Sequence, residues 1–123
     1  MTMEEIIRRS VEEVYRVLGG GWRESVYREA LAIELRHNGC VVGTEMAFPV
    51  LYKERPLSNV RIQVDMIVND STIVELKAAP TLIASAVTQC RRYMSNLDMC
   101  DGYVVNFSPT EASVKRVPLV ETV

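Results

Sequence analysis

The chain has a single histidine, His37, among its 123 residues, and three cysteines, Cys40, Cys90 and Cys100, with no Cys-x-x-Cys spacing. Zinc sites are built from clustered thiolates and imidazoles, so this inventory excludes a zinc ribbon or finger. An odd number of widely spaced cysteines also argues against a disulfide framework, and the thiols are expected reduced, some buried as small apolar groups. No apolar run approaches the roughly 20 residues that span a bilayer. The acidic, amphipathic N-terminus lacks the basic and apolar regions of a signal peptide, so a cytoplasmic location and no membrane partner are expected. Strong charge of one sign is missing too: 16 acidic and 14 basic residues leave a net charge of −2, which does not suit a protein that coats nucleic acid nonspecifically. The triple glycine Gly19-Gly20-Gly21 follows no strand and precedes no Lys-Ser or Lys-Thr, so it is a joint between helices and not a phosphate cradle. Repeats, low-complexity tracts and linkers are absent. A hydrophobic content of 48% with 24% charged residues fits one folded globular domain over residues 1–123.

What is present falls into eight elements. Thr2 with Glu5 makes a capping box, and Ile7, Val11, Val14 and Leu18 repeat at helical spacing up to the glycines. A second helix is expected from about Trp22 to His37, with Val26, Ala30 and Ile33 on one stripe and Tyr27, Leu31 and Leu35 beside it. Asn38-Gly39 stops it, leaving His37 as a residue of the helix end favoured by the dipole, with no catalytic role. Val41 to Tyr52 reads as a strand and Lys53-Glu54-Arg55-Pro56 as a turn. Arg61 to Val68 and Thr72 to Ala78 form two more strands. A third helix from about Leu82 to Leu97 packs Ile83, Ala86, Val87, Cys90 and Met94 inward, and Tyr103 to Phe107 and Ser113 to Val117 end the chain as strands, the latter at an edge. The order is ααβββαββ, an α/β (α+β) chain.

The strands around Asn69-Asp70-Ser71 carry the chemistry. If those three residues form the turn, Asp65 lies directly opposite Glu75, with Cβ atoms about 4.5 to 5.5 Å apart. Alternation then places Arg61, Gln63, Asp65, Glu75 and Lys77 on one face and Ile62, Val64, Met66, Val68, Val74 and Leu76 on the other. A two-residue turn would instead oppose Asp65 to Val74 and scatter the cluster.

Two carboxylates about 5 Å apart repel by roughly 3 kcal/mol at an effective dielectric of about 20. A divalent cation removes that cost, and oxygen-only ligands favour Mg²⁺, with Mn²⁺ as substitute, over zinc. Lys77 is placed to hold or deprotonate a water, or to steady charge growing on a phosphate, so the cluster reads as a site for metal-dependent phosphodiester hydrolysis. The plainer alternative is a solvated Glu-x-Lys ion pair worth under about 1 kcal/mol. Eleven of the 14 basic residues are arginine, which suits bidentate phosphate contacts. Arg8-Arg9, Arg91-Arg92 and Lys115-Arg116 either line a groove or form solvated faces.

Gly21-Trp22-Arg23-Glu24-Ser25-Val26-Tyr27, followed by Asp65, by Glu75-Leu76-Lys77 and by Gln89 on the next helix, resembles the GxxExxY family, a branch of the PD-(D/E)XK nuclease superfamily. The resemblance runs from the first helix to Asn106-Phe107. It implies a restriction-endonuclease-like core, a mixed central sheet flanked by helices. It further implies that Asp65 and Glu75 are metal ligands, that the Leu76 carbonyl adds a backbone ligand, and that Lys77 is the catalytic lysine. By the same resemblance Glu24 completes or orients the metal shell, and Gln89 hydrogen-bonds a ligand carboxylate or a phosphate, with Tyr93 on its face. Taken alone, Glu24 is a helix-start acid paired with Arg28 one turn on, Tyr27 a packed aromatic, and Gln89 a surface amide.

The expected activity is that of a Mg²⁺-dependent DNA endonuclease, resolvase-like or repair-associated, acting through a metal-activated water. The rival is a noncatalytic module that binds nucleic acid or a protein on the same fold. Cutting both strands of a duplex needs two sites, so a twofold homodimer is also expected.

Overall fold

Thr2 does what its position requires: its hydroxyl accepts the Glu5 N–H at 3.2 Å, and α1 runs Met3–Leu18 with Ile7, Val11 and Val14 buried on one stripe. The computed structural model describes residues 1–82 and 84–119. The glycine joint then turns the chain into α2 (Glu24–His37). Gly21 has φ +97°, a region closed to most side chains, and a Cβ on Gly20 would collide with the Pro109 carbonyl.

Tyr27, fully buried, stacks on Phe107 with ring centroids 4.3 Å apart. Its hydroxyl donates to the Gly19 carbonyl at 2.6 Å and accepts the Trp22 N–H at 3.3 Å. One side chain thereby fixes the start of α2. Tyr27→Phe strands both backbone groups and is expected to lower stability by about 1 to 3 kcal/mol; urea unfolding reads the loss, and a midpoint equal to that of the unaltered chain would deny the hydroxyl this role.

Five strands follow: β1 (Val42–Tyr52), β2 (Arg55–Val68), β3 (Thr72–Lys77), then, after α3 (Ala84–Leu97), β4 (Asp101–Phe107) and β5 (Ala112–Arg116). They form one sheet in the order β1-β2-β3-β4-β5. Neighbours are antiparallel except β3 and β4, which are parallel and joined by α3. α1 and α2 cover one face through Leu31, Leu35, Met66, Val74, Leu76 and Phe107. α3 covers the other with Ala86, Cys90 and Met94 against Val64, Ile73 and Val104. This is the expected ααβββαββ arrangement, a mixed sheet flanked by helices with a restriction-endonuclease-like fold. No helix among the described residues is long and apolar enough to cross a membrane. Ile83, expected inside the third helix, lies outside the described residues.

Several expectations need correction. Ile33 is 60% exposed, because the larger stripe of Tyr27, Leu31 and Leu35 faces the sheet and residue 33 lies about 200° of helix away from Leu31. β2 starts at Arg55, six residues before Arg61, closed against β1 by Lys53-Glu54 with both φ positive, as a two-residue hairpin turn requires. The β2–β3 hairpin is not apolar on one side only. Ile62 and Val64 pack beneath α3, whereas Met66 and Val68 pack beneath α1 and α2, so alternation breaks at Asp65. Across from it on β1, Glu45 has φ +51° and drops out of the pairing ladder. A sheet with a parallel pair at its centre has both faces covered, and the strand changes sides at the one polar position between its apolar runs.

Candidate functional site

The turn Asn69-Asp70-Ser71 decides the register on which the site depends. Asn69 and Asp70 take φ of 52° and 55°, and the strands pair Val68 with Thr72, Ile67 with Ile73 and Met66 with Val74. The next positions outward are Asp65 and Glu75, as the three-residue turn predicts. Here the ladder stops and the strands part. The Asp65 N–H donates to Glu75 Oε2 at 2.8 Å, and the Leu76 N–H donates to Asp65 Oδ2 at 2.8 Å. Each carboxylate caps a backbone donor of the opposite strand, so both acids are held by the sheet itself.

Their environments differ. Glu75 is 3% exposed. Burial, then repulsion from Asp65, with a smaller push from Glu24, raises its carboxyl to about 8 against the opposing influence of the Asp65 N–H and Lys77. With no added positive charge it carries a proton at neutral pH. The side chain of Asp65 is 20% exposed and lies 3.6 Å from Arg28 Nη1, while Arg28 Nη2 lies 2.7 Å from Glu45 Oε1. Arg28 therefore serves Asp65 and Glu45, and not Glu24 as helical spacing had suggested.

The remaining residues take graded positions. Lys77 ends β3, half-buried, and its field acts on Glu75. Gln89 Nε2 donates to the Tyr93 hydroxyl at 2.7 Å. Burial raises the Tyr93 hydroxyl above its ordinary range, with further pushes from Glu75 and Asp65 and an opposing effect from Gln89. Tyr93 thus stands within the field of both acids, hydrogen-bonded to Gln89 one turn before it. The charge of Glu24 reaches Glu75, yet among the described residues no three acids, cysteines or histidines are grouped to share one ion. Leu76 meets Asp65 through its N–H, with its carbonyl on the next peptide.

Sequence reasoning missed Asn106. It sits level with Lys77 in the parallel ladder, is 2% exposed, and closes two hydrogen bonds with Ala79: Ala79 N–H to Oδ1 at 3.0 Å and Nδ2 to the Ala79 carbonyl at 3.0 Å. This clamp fixes the backbone leaving Lys77. Its signal was an amide inside the apolar run Tyr103-Val104-Val105-Asn106-Phe107. The pairing of Arg28 with Asp65 carried no comparable sequence signal.

The donor set suits a divalent cation. Two hard oxygen donors are held at the fork, one of them desolvated and repelled by the other, and added positive charge relieves both penalties. A family model described as PD-(D/E)XK nuclease superfamily matches residues 1–117. The crystal structure of SSO0001 superposes with a TM-score of 0.63 over 99% of this chain and 80% of that one, at 11% identity, a likeness of fold. No curated protein matches the chain.

Proposed function

This chain belongs to the PD-(D/E)XK nuclease superfamily, and within it we propose a Mg²⁺-dependent DNA endonuclease of the GxxExxY branch that also accepts Mn²⁺. The observation that carries this reading is the crossed pair of hydrogen bonds joining Asp65 and Glu75 across the β2–β3 fork, with Lys77 two residues on. Nothing about sheet stability calls for two acids there, since like charges directly opposed are destabilising.

In this reading Asp65, Glu75 and the Leu76 carbonyl hold the cation, which supplies Lewis acidity toward the scissile phosphate. Lys77 Nζ orients the attacking water and steadies the charge growing on the phosphate. Arg28 limits the negative charge on Asp65 and is anchored by Glu45. Glu24, whose charge reaches Glu75, completes or orients the metal shell. Gln89 steadies the Tyr93 hydroxyl, which is placed to donate to a phosphate oxygen. Because a duplex has two strands to cut, the reading includes a twofold homodimer.

Lys77→Ala tests the reading. Cleavage of a panel of branched, linear and single-stranded DNA with Mg²⁺ or Mn²⁺ should fall about 10²- to 10⁴-fold, with circular dichroism and cation binding unchanged. Full activity in the purified variant would refute the lysine's role.

A further inference from the structure

The β1–β2 ribbon is longer than the sheet needs. Only Met66 to Val68 of β2 pair with β3, whereas β2 runs back to Arg55. Residues 51–60 are exposed throughout, including Leu51, Tyr52, Leu57 and Val60. The ribbon leaves the sheet at Asp65, the residue at the fork, so its base and the candidate site are one piece of backbone.

Its mounting is firm. Asn96 of α3 accepts the Leu51 N–H at 2.9 Å and donates to the Pro49 carbonyl at 3.1 Å, at the register shift between Pro49 and Leu51. Residues 46–64 hold Lys53, Arg55 and Arg61 against one acid, Glu54, in a chain whose net charge is −2. Ser58, Asn59 and Gln63 add exposed hydrogen-bonding groups, and Arg92 of α3 lines the cleft beside the ribbon tip.

We propose that the β1–β2 ribbon is a duplex-binding arm that enters a groove of nucleic acid next to the scissile phosphate. This rests on the nuclease reading above and names how that site takes its substrate. A B-form major groove, about 12 Å wide, admits a two-stranded ribbon, and exposed apolar side chains at its tip suit thymine methyls and sugars. The local excess of basic charge complements phosphate. Pairing with a strand of a second copy is disfavoured, because Pro49 removes an edge donor, Asn96 already occupies the neighbouring edge groups, and Glu45 interrupts the strand. From Glu45, level with Asp65, to Tyr52 at the turn is seven residues, or about 23 Å, which corresponds to roughly seven base pairs at about 3.4 Å each.

The test is the affinity of the full chain for a labelled 24-base-pair duplex, measured by fluorescence anisotropy in EDTA over a salt series. A double variant, Arg55→Ala with Arg61→Ala, should bind about tenfold or more weakly, and its salt slope should fall by about 2, for two lost phosphate contacts. Lys115→Ala with Arg116→Ala, the same charge change on the far edge strand β5, should alter neither by as much. Equal losses from both pairs, or none from the ribbon pair, overturn the arm. So does a dimer that Tyr52→Ser with Leu57→Ser dissociates in sedimentation while duplex affinity is kept, since the face then belongs to a second copy. Hydrolysis of bis(p-nitrophenyl) phosphate, too small to reach the ribbon, separates the two readings: it survives in the ribbon variants and is lost in Lys77→Ala if the site is catalytic. Absence of that hydrolysis in the unaltered protein counts against the nuclease reading, and the anisotropy result still decides the arm.

Discussion

Asp65→Asn is expected to abolish divalent-cation binding and to lower cleavage by about 10³-fold or more, while the fold persists. The asparagine carbonyl still accepts the Leu76 N–H that Asp65 Oδ2 now holds at 2.8 Å, so the fork keeps its shape. Arg28 loses a partner at 3.6 Å but retains Glu45 at 2.7 Å. What disappears is the negative charge of Asp65, and with it the reason for a cation to settle there. Titration calorimetry with Mn²⁺ at pH 8 reads the binding, and thermal unfolding checks the fold. Undiminished affinity in the variant would remove Asp65 from the ligand set. A wild-type chain that binds no cation at all would favour the noncatalytic module.

Glu75→Gln is expected to do something less intuitive: abolish cleavage and raise stability at alkaline pH. Burial and Asp65 lift the Glu75 carboxyl from an ordinary 4.5 to about 8. Between those values the folded chain carries a proton that the unfolded chain has lost, so stability falls as pH rises, by about 1.4 kcal/mol per pH unit. The contribution is complete below the unfolded pKa and gone once pH has passed the folded one. A neutral glutamine removes this slope. The variant and the unaltered chain should match near pH 4 and diverge above pH 8 by several kcal/mol, on the order of 10 °C or more in melting temperature for a domain of this size. Because Glu75 is 3% exposed, solvent screening does little to reduce the effect. Parallel stability curves across pH 4 to 9 would show that the carboxyl is not desolvated as described. The same protonation makes cation binding compete with a proton, so Mg²⁺ affinity should strengthen from pH 6 to 8.5 with release of up to one proton per ion, measurable by calorimetry in buffers of different ionisation heat. Under the proposed reading, the acid that would serve the chemistry is a liability to the empty fold, a trade-off common where a site must be strained or charged.

Much of this arrangement was legible in the residues. The eight elements follow from helical and strand periodicity, from the Thr2 cap and from the glycine joint. The register that sets Asp65 level with Glu75 follows from a turn of three residues able to take positive φ. Two readings failed for one shared reason. Ile33 and the pair Ile62 and Val64 were assigned faces from regular periodicity, but a periodicity shows which residues share a side and not which side meets the core. Arg28 was misplaced because Glu24 lies one helical turn before it, whereas the acids it meets in space are Asp65 and Glu45.

The chain's own order of residues determined the hairpin, its turn and the spacing of acid and lysine, because those depend on φ preferences and side-chain alternation acting over a few positions. Only the tertiary structure decided that Glu75 is buried while Asp65 keeps contact with water and Arg28, that Asn106 clamps the backbone beyond Lys77, and that half of the β1–β2 ribbon stands clear of the sheet. Those outcomes turn on α3 lying across β3 and on contacts between residues 17 to 47 positions apart. Desolvation and charge pairing at such separations are properties of the packed layers, and no local pattern encodes them.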